Sequence, residues 1–187
     1  MRLGAVLGLT LAVLGCAVAD NAVDRTKMQL DGSRLVLSGE ITSRTPANFI
    51  AVLDANPRVQ VIVPFDMPGS VDEMAVYRMG DAIRARGLDT HLTADSEIYS
   101  GAVNLFLAGN RRSMERGAIM GVHSWADGFG EGSSYPRDAS EHRGNVAYTR
   151  DMLGSDAFYW FTLQAAPSDG IHVLTQAEIK GFGLVTE

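Results

Sequence analysis

Between residues 34 and 123, short apolar runs alternate with amphipathic stretches, and the elements follow from that alternation. In Arg34 to Ile41 the pair Leu35 and Leu37 alternates with polar neighbours, which predicts a strand interrupted near Gly39. Thr45-Pro46 supplies a cap and a proline at the first helical position, opening a helix with Phe49, Ile50 and Leu53 inward. Asn56-Pro57 ends that helix. Val59 to Phe65 is nearly continuous in apolar residues, as expected of a strand buried on both faces. Asp66-Met67-Pro68-Gly69-Ser70 reads as a turn, and Ser70-Val71-Asp72-Glu73 as a capping box for a helix reaching about Arg86. Gly87 stops it, and Leu88 to Ala94 forms the next strand. After the loop Asp95–Tyr99, the run Ala102 to Ala108 is apolar and helical, Gly109-Asn110 breaks it, and AIMGVH (118–123) is a further buried strand.

Strand, helix, strand, helix, strand is the order of a mainly parallel α/β sheet, built here as a single domain. In such sheets the ligand site gathers at the carboxyl ends of the strands, where turns 66–70 and 95–100 lie. The rest of the chain covers this unit. Residues 20–33 are polar and irregular, a loose lead-in. After His123 a glycine- and serine-rich segment lacks periodicity, and a loop of that length is a lid, a binding loop or a disordered segment. Asn145 to about Gln164 is helical, and its aromatics Tyr148, Phe158, Tyr159, Trp160 and Phe161 suit a core or subunit interface. Thr175-Gln176-Ala177-Glu178 is a second capping box, followed by a short strand around Gly183–Val185.

The first nineteen residues stand apart. Arg2 is followed by the apolar LGAVLGLTLAVLG and by Ala17-Val18-Ala19, the pattern of a signal peptide cleaved before Asp20. Val13-Leu14-Gly15-Cys16 also fits a lipobox, with Leu14 an imperfect match; under that reading a lipid on Cys16 would be the chain's only tie to a membrane. Both readings predict export, to the periplasm or its membrane face. The mature domain, 20–187, then has no cysteine, no disulfide and no thiol chemistry, unless Cys16 is kept. Losing Arg2 takes the formal charge from −6 to −7, which gives no electrostatic support to a nucleic-acid partner. Of 187 residues 46% are hydrophobic, enough for one domain with a real core. Arg111-Arg112 reads as a solvated helix end.

Candidate chemistry sits at Ser100 and His123. A helix of about ten residues carries the chain roughly 15 Å away from Ser100, and a six-residue strand spans roughly 20 Å on the way back. His123 can thus return to a serine 23 positions earlier. A serine hydroxyl with a histidine beside it is an activated nucleophile, whereas Ser100 alone would be an ordinary helix N-cap. Gly101 could offer its backbone N–H to an oxyanion, and Gly69 or Ser70, at another helix start, a second one. His91, His142 and His172 have no metal-ligand spacing, so neither a metal nor another cofactor is implied.

Taken together, residues 59–123 and 173–185 resemble the Clp protease proteolytic subunit family of the crotonase superfamily, with a closer likeness to its small exported bacterial relatives. The family pattern is a glycine-rich turn after a strand, a helix opening on the nucleophilic serine, a glycine nine residues on, and a strand ending in the catalytic histidine. Here these are Pro68-Gly69-Ser70, Ser100, Gly109 and His123, and LTQAEIKGFGLV is similar to the closing element. The resemblance implies a serine peptidase acting on peptide or protein substrates, assembled as a homo-oligomer. The family's ATP-driven unfoldase has no ATP in an exported compartment, which leaves short or unfolded peptides as substrates.

The chain departs from that pattern at three places. Ser70 stands where the turn has its second glycine, and Tyr99 precedes the serine where a small residue is usual, a bulk expected to crowd the site. The position matching the catalytic aspartate falls near Ile171, with Asp169 the nearest carboxylate. Asp169 is therefore the third candidate, although Pro167-Ser168-Asp169-Gly170 is equally an ordinary turn, and Asp127, Asp138 or no acid at all are alternatives. An inactive fold used for binding or assembly is the competing reading. Acyl-coenzyme A chemistry, found in other crotonase members, is disfavoured by export and by the lack of a basic patch.

Overall fold

The computed structural model describes residues 24–186, so the expected signal peptide, Cys16 and the expected cleavage before Asp20 lie outside the described residues. The expected parallel core is present. After a first strand, β1 (Lys27–Asp31), come β2 (Arg34–Ser38), α1 (Thr45–Ala55), β3 (Val61–Met67) and α2 (Glu73–Ala85). These are followed by β4 (Asp89–Leu92), β5 (Glu97–Tyr99), α3 (Gly101–Leu107), β6 (Arg112–Met114) and β7 (Ile119–Val122). The sheet runs β2-β3-β5-β7 with every neighbour parallel, and β4 branches off beside the first half of β3 to pair with β6. Leu35, Ile62, Ile83, Ile98, Leu105 and Phe106 are fully buried between sheet and helices.

Strand β1 is one the periodicity does not show. Where a loose lead-in was expected, it forms an antiparallel hairpin with β2. Only Met28 of this edge strand is even half-buried, so it carries no apolar alternation to read. The helix after the 66–70 turn also starts later than the capping box suggests. Asp72 is its N-cap, accepting from the Ala75 N–H, while Ser70 Oγ accepts from the Asp72 N–H at 2.9 Å and donates to the Asp72 carbonyl at 2.7 Å. What holds Ser70 is a bridge to Ile41 on the strand side, a tertiary contact that local sequence cannot supply. Likewise Thr45 is the first residue of α1 rather than its cap, and its hydroxyl accepts from the Thr42 N–H.

The covering elements differ in similar ways. The aperiodic loop holds a two-residue hairpin, β8 (Ala126–Asp127) and β9 (Gly130–Glu131). The helix expected from Asn145 to Gln164 is two, α4 (Arg143–Leu153) and α5 (Ala157–Ala165), separated at Gly154, whose φ of 75° ends α4 in the left-handed conformation. Strand β10 (His172–Val173) adds antiparallel to β7, and α6 (Gln176–Gly181) opens on the expected box of Thr175 and Glu178.

Arg112 is not part of a solvated helix end. It is 7% exposed, and its guanidinium donates to the carbonyls of Leu184 (2.8 Å), Gly183 (3.1 Å) and Gly109 (3.2 Å). The segment after α6, expected as a strand, is an irregular tail clamped by this side chain and by the Thr186 N–H on the Arg112 carbonyl. Arg112→Met keeps the apolar stem but leaves three carbonyls without their donor. It is expected to destabilise by about 2 kcal/mol, lowering Tm by about 4–8 °C in calorimetry; an unchanged Tm would show that the tail holds itself.

Candidate active site

The register of the sheet explains how residues so far apart in sequence meet. Tyr99 at the end of β5 pairs with Gly121 of β7, so Ser100 and His123 leave adjacent parallel strands at the same end of the sheet. Neighbouring strands lie about 4.8 Å apart, and both side chains line one cavity of about 840 Å³, a size suited to a small ligand or a few peptide side chains.

Ser100 has φ 52° and ψ −124°, the only non-glycine with positive φ among the described residues. Holding a residue with a Cβ there costs about 1–3 kcal/mol. Its N–H donates to the Gly121 carbonyl at 2.9 Å and its carbonyl accepts from the Val103 N–H, so strand and helix together impose the bend. The bend also removes the serine from capping duty, because its side chain makes no cap hydrogen bond. The bland account of Ser100 as a helix cap is therefore not the one realised.

His123 is half-buried, and its Nδ1 lies 2.7 Å from the Ser124 carbonyl. A carbonyl only accepts, so Nδ1 carries a proton, and in the neutral imidazole Nε2 is then the acceptor. The Ser124 N–H in turn donates to the Ala166 carbonyl at 2.9 Å, tying this end of β7 to the turn after α5.

Gly69, Ser70 and Gly101 converge on Ser100. A Cβ on Gly69 (φ 131°) would lie 3.0 Å from Ser100 Cβ, and one on Gly101 would lie 2.7 Å from Ser70 Cβ and 3.4 Å from Ser70 N. The Ile41 bridge uses the carbonyl of Gly69 and the N–H of Val71, which turns the N–H of Ser70 to the opposite side, toward Gly101. The Gly101 N–H, at the first helical position, has no intrahelical acceptor. Replacing the second glycine of the turn by Ser70 thus leaves a backbone donor in place. Tyr99 does not crowd the cavity: its ring lies against Gly121, where a Cβ would come within 2.5 Å of it, and its hydroxyl donates to Glu97 at 3.2 Å.

The acid is placed differently from the pair. Ile171 packs beside the Tyr99 ring against Gly121, and Asp169 is exposed in a turn closed by the Gly170 N–H on the Pro167 carbonyl. Among the described residues Asp169 makes no hydrogen bond to His123, and it does not line the cavity. Carboxylates that do line it are Asp72, Glu73, Asp127 and Glu141, with no lysine or arginine among its described walls. Asp127 is held below the usual carboxylate range by the Phe129 N–H and the Tyr135 hydroxyl. Asp138 is exposed.

One wall is an aromatic group built from the loop and α5. Tyr159 OH accepts from Trp125 Nε1 at 2.9 Å and donates to His142 Nδ1 at 2.6 Å, and burial pushes the phenol up to about 12. Arg137 stacks over the Trp160 ring at 4.4 Å. The aromatic run thus serves as core at Tyr148, Phe158 and Tyr159, and as a seat for the loop at Trp160.

No family model matches this sequence, and no curated protein matches it. Solved structures do. A point mutant of ClpP1 from Listeria monocytogenes superposes with TM-score 0.58 at 17% identity, covering 94% of this chain and 95% of that one. A point mutant of the 1510-N membrane-bound stomatin-specific protease gives TM-score 0.55 at 16% identity over 81% of this chain and 75% of the other. The protein accordingly has the Clp-protease-like fold, one α/β domain with a mainly parallel central sheet. At these identities the likeness carries the fold alone.

Proposed function

We propose that this chain is an exported serine peptidase acting on short or unfolded peptides without an ATPase partner. The observation that supports it most is the strained bend at Ser100, held beside a cavity that it shares with a histidine in the correct tautomer. In this reading Ser100 Oγ attacks the scissile carbonyl carbon as its proton passes to His123 Nε2. The carbonyl oxygen becomes an oxyanion facing the N–H of Gly101 and that of Gly69 or Ser70. Collapse breaks the C–N bond, with the proton returned from His123 to the leaving amine. Water, deprotonated by the same imidazole, then releases the acid from the acyl-enzyme. The two solved neighbours that bear protease names lend the fold, not the chemistry, to this reading.

The test is a fluorophosphonate probe on the purified mature protein, with the adduct mapped by peptide mass. A single adduct on Ser100, absent from His123→Ala, is the expected result. Labelling elsewhere, or none between about pH 5 and 9, the range over which a histidine base would act, would leave the inactive binding fold as the better description. Export and assembly belong to the same proposal. Cleavage before Asp20 or a diacylglyceryl adduct on Cys16 is read from intact mass. Ile171 and Val173, both about half exposed around the edge strand β10, give a homo-oligomer an apolar contact that light scattering would detect.

A further inference from the structure

We infer that Glu131, on the hairpin that follows His123, is the acid of this site: a positioning residue whose carboxylate stabilises the charged form of His123. The inference rests on the Ser100–His123 reading above. General-base catalysis turns a neutral imidazole into an imidazolium, and the Ser124 carbonyl that orients the ring has no charge to offset it. The position that resembles the family's aspartate falls near Ile171, and Asp169 faces solvent. A negative charge, if the imidazolium is to have one beside it, comes from elsewhere in the fold.

Glu131 does not itself line the cavity, but its carboxylate is fixed to Ser168, which does. Both its carboxylate oxygens accept from the Ser168 N–H, at 3.1 and 3.2 Å, and Oε1 also takes the Ser168 hydroxyl. Ser168 lines the cavity with His123, and Ser124 is joined to Ala166, two residues before Ser168. Hairpin, histidine and turn are therefore stitched around one point. The Ser168 hydroxyl is the largest influence holding the Glu131 carboxyl below the usual range; burial, next in size, opposes it, and the Ser168 N–H, the Ser124 hydroxyl and the charge of His123 add to the lowering.

The hairpin that presents it is rigid for its size. Asp127 accepts from the N–H groups of Phe129 and Gly130 and from the Tyr135 hydroxyl. The Gly132 N–H donates to the Trp125 carbonyl at 2.7 Å, and a Cβ on Gly132 would lie 2.6 Å from the Trp125 ring. The other charged groups around the cavity are engaged in turns and caps. From α2 come Asp72, which caps Ala75, and Glu73, which accepts the Asn145 amide. From the loop come Asp127, in the hairpin turn, and Glu141, beside the Ser140 hydroxyl.

The test measures fluorophosphonate labelling rate against pH on the purified protein. In Glu131→Gln the rate near neutral pH is expected to fall about tenfold, because the nearby charge that stabilises the imidazolium is gone. The acidic limb of the profile moves to lower pH in the same variant, since the imidazole holds its proton less tightly; a purely structural role would lower the rate without moving the limb. Ser168→Ala, which frees the carboxylate without removing it, is expected to give a smaller fall in the same direction, and keeps the test alive if Glu131→Gln folds poorly. A wild-type profile in Glu131→Gln overturns the inference, as does loss in Asp169→Asn without loss in Glu131→Gln, and either leaves Ser100 and His123 standing. A wild type that is not labelled at all removes the Ser100 reading and this one with it.

Discussion

Ser100→Ala is expected to abolish turnover of any peptide substrate, by about 10⁴-fold or more, without loosening the fold. Its companion, Ser100→Gly, should be equally inactive yet more stable than the wild type. Alanine keeps a Cβ at φ 52°, so it inherits the strained backbone, whereas glycine accepts that conformation freely. Part of the gain is offset by glycine's greater freedom in the unfolded chain, which leaves about 1 kcal/mol. That corresponds to a rise in Tm of about 2–4 °C. The two variants separate two ideas that a single knockout merges. Loss of activity in both identifies the hydroxyl as the reacting group. A gain in stability in the glycine variant alone shows that the fold sacrifices stability to hold that hydroxyl at the cavity. Retained turnover in Ser100→Ala would end the nucleophile reading, and a glycine variant less stable than wild type would mean the bend is not strained.

The fold was legible where burial is two-sided and local. The apolar runs Val59–Phe65 and 118–123 mark the strands β3 and β7, although β3 runs on through Asp66 and Met67 where a turn was expected, and Gly87 and Gly109 mark real stops. Elements decided by distant partners were not. Strand β1 faces solvent along most of its length, so pairing with β2 makes it a strand without any periodic signal. Arg112 looks like half of a solvated pair because the carbonyls it binds lie 71 and 72 residues further on. Ser70-x-x-Glu73 and Asp72 compete as caps over the same turn, and the bridge from Ile41 decides between them.

In the candidate site, the meeting of Ser100 and His123 at one cavity was readable because one helix and one strand fix their spacing. The acid was not, since nothing in a glycine-rich loop specifies which carboxylate returns to the histidine. If the acid is Glu131, as inferred above, the only local mark is its place between Gly130 and Gly132, eight residues past His123.

Gly109, nine residues after Ser100, is a position where the packing admits no side chain. A Cβ there would lie 2.2 Å from Thr90 Oγ1, 2.7 Å from Thr90 N and 2.8 Å from the Arg111 carbonyl. None of the three can easily withdraw. Thr90 Oγ1 donates to the Phe106 carbonyl at 2.7 Å, and the Thr90 N–H donates to the Arg111 carbonyl at 2.9 Å, while β4 and β6 are locked in register around them. Gly109→Ala must therefore push the end of α3 away from β4. We expect a cost of about 3 kcal/mol, the upper range for one methyl forced into a packed site, seen as a fall in Tm of about 6–12 °C. Adding Thr90→Ala removes only the first of the three clashes, since the other two are backbone, so the double variant should recover little. Because Ser100 sits at the other end of the same short helix, labelling of Ser100 should fall as well, even at temperatures where the variant is fully folded. A Gly109→Ala protein of wild-type stability would show that α3 can slide along β4, and then the strained geometry at Ser100 could not be held from this end of the helix.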